Sequence, residues 1–164
     1  MAKAAEIAIA PDEPYRAAAA RIVRVRAQEL FEQAGGVLDV RDIERVHDMR
    51  VASRRLRAVL EIFAPCFPPD QHERVLGEVK TVADALGERR DADVTIAAIE
   101  GFAAGLTAPD RPGVASLVEQ IRLEQEQANA ELEPFVESGR LAGLSERLSE
   151  LVSEAEALAA EGPS

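Results

Sequence analysis

What this sequence lacks narrows its reading at once. It has one cysteine, Cys66, no tryptophan, and only 4% aromatic residues across 164 positions. A lone cysteine excludes an internal disulfide framework and points to a reducing compartment. No apolar run is long enough to span a bilayer. The opening stretch, MAKAAEIAIAPDEP, is interrupted by Glu6 and Asp12 and does not read as a signal peptide. A cytoplasmic location with no membrane partner is therefore expected. Histidine is scarce as well: His47 and His72 offer no metal-ligand spacing, so neither a metal nor another cofactor is expected. Positive charge is in deficit, with 19 Lys and Arg against 30 Asp and Glu. The resulting net charge of −11 repels polyanions on average and argues against binding duplex nucleic acid.

What is present points to helices. Hydrophobic residues make up 47% of the chain, and Ala, Leu, Glu and Arg, all strong helix formers, are abundant. No segment alternates as a strand would, so an all-α helical bundle is expected. At this length one domain buries about 70% of its unfolded surface. Punctuation by Gly and Pro divides the chain into a flexible leader over 1–13 and a single helical domain over 14–160. About six helices are expected. They cover 14–34, a span from about 39 or 41 to 63, 70–87, 91–102, 114–138 and 141–160. Gly87 closes the third, Asp91 caps the fourth, and Pro134 is a candidate kink in the fifth.

Charge is sorted along the chain. From Arg16 to Leu60 there are ten Arg against six acidic residues, whereas from Val114 to Ser164 there are three Arg against eleven Glu. The positive segment culminates in HDMRVASRRLRAVLEIF, residues 47–63. At ~100° per residue, His47, Arg50, Arg54 and Arg57 share an arc of about 80°. Arg55 falls outside it, near Asp48. Met49, Ala52, Leu56, Leu60 and Phe63 form a broad apolar face, and Val51, Ala58 and Ile62 form a smaller strip on the other side of the arc. A cationic stripe bracketed by apolar surface is expected to line a groove or an interface.

A charge run is often a solvated face, and these arginines could simply pair with the Glu-rich last two helices. Against that, like charges one turn apart cost a few tenths of a kcal/mol each, and Arg50–Arg54 and Arg54–Arg57 both carry this cost. An anion that engages several guanidiniums at once accounts for the repulsion. Guanidinium presents paired planar donors that match phosphate oxygens and stays charged near neutral pH. A thin linear polyanion suits a groove between helices better than a wide duplex. Arg21 and Arg24, on the flank of the first helix, are weaker candidates for the same ligand.

These residues resemble a known family. Val46-His47-Asp48-Met49-Arg50-Val51 and Arg54-Arg55-Leu56-Arg57, followed by Leu86-Gly87 and Arg90-Asp91-Ala92-Asp93-Val94, resemble CHAD, the conserved histidine α-helical domain. The likeness extends more weakly through Ser138-Gly139-Arg140. It implies an all-helical fold whose basic surface binds inorganic polyphosphate without catalysis. It also implies association with polyphosphate granules or with CYTH-type triphosphatase domains. His47, Arg50, Arg54, Arg55 and Arg57 match the basic motif, Lys80 a basic position on the third helix, and Arg90 the Arg of the Arg-Asp pair. Members usually contain two helical halves, whereas this sequence carries one motif and resembles the first half. A homodimer that restores the two-half arrangement, with Val51, Ala58 and Ile62 at the contact, is the corresponding expectation.

Other chemistries are weighed on the same residues. His47 as a phosphorylated nucleophile would define a phosphoryl-handling enzyme, but no strand-end loop accompanies it. As part of the stripe, it donates a hydrogen bond and strengthens anion binding as pH falls. Asp91 and Asp93 could chelate a cation, but a helix N-cap and the helix dipole explain both. Lys80 could pair with Asp84 one turn on. The stripe could also dock an acidic or phosphorylated protein. Cys66 has no neighbouring base and is not a nucleophile candidate.

Overall fold

The computed structural model describes residues 3–162, and 80% of the chain is helical, with no strand among the described residues. Five α-helices carry the fold: α1 Tyr15–Glu32, α2 Ile43–Ile62, α3 Pro69–Ala103, α4 Arg111–Val136 and α5 Ser138–Ala160. Short 3₁₀ turns at Ala64–Cys66 and Ala108–Asp110 precede α3 and α4. The apolar spacing of each helix finds its partner. α1 packs between α2 and α5, while α3 packs between α2 and α4. α5 then returns against α3 and α4 and closes the bundle. Val23, Leu30, Met49, Leu56, Leu60, Val79, Leu86, Leu132, Leu148 and Leu151 form one continuous apolar core.

The all-α expectation holds, but the segments expected as third and fourth helices are one helix of 35 residues. That makes α3 ~52 Å long at 1.5 Å per residue. Gly87 does not end it, because a C-terminal glycine stop requires positive φ and only Gly36 and Gly162 have it among the described residues. Packing on α2 and α4 carries the helix through, against a propensity loss of about 1 kcal/mol for glycine. Asp91 is consequently not a cap. It is exposed in mid-helix, and its carbonyl accepts a hydrogen bond from Thr95 Oγ1 at 2.8 Å.

Asp93 is not in a first turn either; it is buried. Its Oδ1 accepts from Arg89 Nε at 2.9 Å and from Gln125 Nε2 at 2.6 Å. Arg89 also donates to Asn129 Oδ1 at 2.6 Å and to the Val37 carbonyl at 3.0 Å. Asn129 Nδ2 donates to the Leu38 carbonyl at 3.0 Å. This buried network ties α3, α4 and the loop leading into α2 together.

Gly36, at φ 79°, turns the chain after α1 as expected. Residues 111–113, expected in a loop, instead open α4, with Pro112 in its first turn, where its missing N–H costs nothing. Pro134 lies inside α4, two residues before its end. Within the leader, the Ala5 amide donates to Glu29 Oε1 at 2.8 Å and Glu13 pairs with Arg21.

Candidate functional site

Helix α2 buries Val46, Met49, Ala52, Ser53, Leu56 and Leu60 and turns its opposite side outward. The stripe occupies that outward side: Arg54 is exposed, while His47, Arg50 and Arg57 are half-buried. Three contacts fix the register of α2 against antiparallel α3. Arg90 Nη1 reaches the Ile43 carbonyl at 3.5 Å. A Cβ at Gly87 would lie 3.8 Å from Arg50 Nε. Lys80 Nζ lies 3.7 Å from Glu61 Oε1, the oxygen that also accepts from Arg57 Nε at 3.1 Å. Arg90, Arg50, Arg54, Arg57 and Lys80 thus follow one α2–α3 seam, ~27 Å long from Ile43 to Glu61.

Charge compensation along the seam is sparse. Arg50, Arg54 and Arg55 have no carboxylate within 4 Å among the described residues, and Arg90 meets only a carbonyl. Arg57 and Lys80 share the single Glu61, so Lys80 does not use Asp84. His47 Nδ1 is buried without a hydrogen-bond partner among the described residues. Arg55 is half-buried, rotated about 100° from Arg54. Val51 is half-buried, while Ala58 is exposed and Ile62 is 64% exposed, so the strip expected beside the stripe does lie at the surface.

Two of the weaker candidates stand apart. Arg24 pairs with Glu156 of α5 and lines a cleft between α1 and α5, and Arg21 pairs with Glu13. For Arg24, pairing with the acidic last helix is what the structure places there. His72 is buried, with Nε2 2.6 Å from the Leu60 carbonyl and its ring stacked on Phe67. Burial pushes the Cys66 thiol above its ordinary range, while Arg16 opposes the shift. A thiol held protonated is a poor nucleophile.

Arg89 and Asp93, at the centre of the buried network, were expected at the start of a helix, Asp93 as a first-turn residue, and not as a buried pair. Their i,i+4 spacing was visible in the sequence, but the same spacing describes any surface ion pair.

The helical fold agrees with the comparison to known families. The CHAD domain family model matches residues 21–164, nearly the whole chain, and the chain belongs to that family. CHAD domains are known generally for polyphosphate binding and are generally non-catalytic binding domains. A comparison with curated proteins gives no match. Among the described residues no helix is long and apolar enough to cross a membrane.

Proposed function

We propose that this protein binds inorganic polyphosphate non-covalently along the α2–α3 seam. The observation that carries the reading is that Arg50 and Arg54 stand one turn apart with no carboxylate partner among the described residues. In a chain of net charge −11, acidic partners are abundant, so leaving these two unpaired suits a guest anion. Arg57, Lys80 and Arg90 extend the grip along the seam, and His47 and Arg55 flank it. Arg21 and Arg24, held by Glu13 and Glu156, would join only after those pairs open. No side chain is assigned a catalytic step.

A direct titration with long-chain polyphosphate tests the reading. Arg50→Ala/Arg54→Ala should lower affinity by roughly two orders of magnitude or more, given about 1.5–3 kcal/mol for each hydrogen bond to a charged group. Duplex DNA at equal phosphate concentration should not compete. Unchanged affinity in the double variant sinks the proposal.

The homodimer belongs to the same reading. The exposed Ile62 and Ala58 beside the stripe supply an apolar contact that would bring two stripes to one channel. Light scattering that returns a monomer at micromolar concentration removes the dimer while leaving the binding proposal intact. The buried free thiol of Cys66 supports a cytoplasmic setting.

A further inference from the structure

A second cluster of guanidiniums lies on another face. Arg74, Arg140 and Arg147 line a cleft of about 380 Å³ between α3 and α5, together with Gly77, Glu78 and Phe135. Around α3, Arg74 and Glu78 are rotated about 120–160° from Lys80, so this cleft does not open onto the α2–α3 seam. Arg147 Nε donates to Glu78 Oε2 at 2.9 Å. Arg140 lies over the Phe135 ring, with Cζ 4.5 Å from the centroid. Neither Arg74 nor Arg140 has a carboxylate within 4 Å among the described residues. The cleft therefore holds three cations and one matched carboxylate.

The geometry leaves donors available. A guanidinium held over a ring by cation–π attraction carries five N–H donors and still has some to offer an oxyanion. Two glycines inside helices contribute space, although glycine weakens a helix interior. A Cβ at Gly143 would come within 3.1 and 3.4 Å of the Arg147 terminal nitrogens, so glycine there lets that guanidinium lie against α5. A Cβ at Gly77 would meet nothing within 4 Å, which keeps the floor of the cleft open.

We infer that this cleft is a second anion site, for a compact molecule bearing one or two phosphoryl groups. A carboxylate offers two oxygens in one plane, whereas a phosphoryl group offers oxygens in three directions, one for each guanidinium. The cleft's small volume suits a compact anion rather than a polymer.

The test is NMR titration of the full chain with inorganic pyrophosphate, following the Gly77 and Gly143 amides. Saturable shifts at both are expected, at least tenfold weaker in affinity for Arg74→Ala/Arg140→Ala and unchanged for Arg50→Ala/Arg54→Ala. Gly77→Gln, which adds a helix-favouring side chain over the open floor, should remain folded and lose the shifts. The inference fails if these amides do not shift, if Arg74→Ala/Arg140→Ala binds like wild type, or if citrate binds as tightly as pyrophosphate. None of these outcomes depends on whether the α2–α3 seam binds polyphosphate.

Discussion

Arg89 shows how much a single side chain can hide. It is fully buried, and its charge is met by Asp93, Asn129 and the Val37 carbonyl. Removing one member of such a pair strands the other. Arg89→Ala should therefore cost about 3–5 kcal/mol in urea unfolding, and Arg89→Met/Asp93→Leu markedly less. Cys66 gives a pH signature. Burial raises its thiol above the ordinary cysteine range, so the folded state keeps the proton where the unfolded chain has released it. That stabilisation is fully present below the unfolded value and is lost as pH rises through the folded one. Melting temperature should fall more steeply above about pH 9 in wild type than in Cys66→Ala, a comparison that calorimetry in matched buffers makes. The angular position of the stripe was legible from 100° arithmetic alone. The burial of Arg89 was not, because Asn129 arrives from α4, 40 residues later, and the Val37 carbonyl from the loop before α2, 52 residues earlier.

At the level of elements, the stops that succeeded and the stop that failed differ in kind. Gly36 and the prolines at 65, 68 and 69 act through backbone geometry and mark the ends of α1 and α2 correctly. Gly87 carries the same letter but a helical φ, because α2 and α4 hold α3 straight through it. A local signal cannot report that packing. Gly87→Ala should raise stability by up to about 1 kcal/mol. It should leave polyphosphate affinity unchanged, since its Cβ would sit in ordinary contact with Arg50 at 3.8 Å. Gly87→Leu should instead displace the Arg50 guanidinium and weaken binding several-fold, which the same titration measures. The contributions of Lys80 and Arg90 to the seam rest on the antiparallel register of α2 and α3, a tertiary fact that spacing within either helix does not contain.

Across the whole molecule, charge is segregated: α2 turns outward guanidiniums of which Arg50 and Arg54 are unpaired among the described residues, while α4 and α5 are rich in glutamate. Binding along the seam should be strongly ionic. Raising salt from 50 to 200 mM should lower polyphosphate affinity by more than about tenfold, through loss of counterion release, and isothermal titration checks it. On the proposed reading, the carboxylate shared by Arg57 and Lys80 would make this surface a length filter. Glu61 already sits where a phosphate would go, and a short anion that ejects it gains little beyond what it displaces. A long chain anchored at Arg50 and Arg54 can evict the same tenant and still come out ahead, so Glu61→Gln should help short guests far more than long ones.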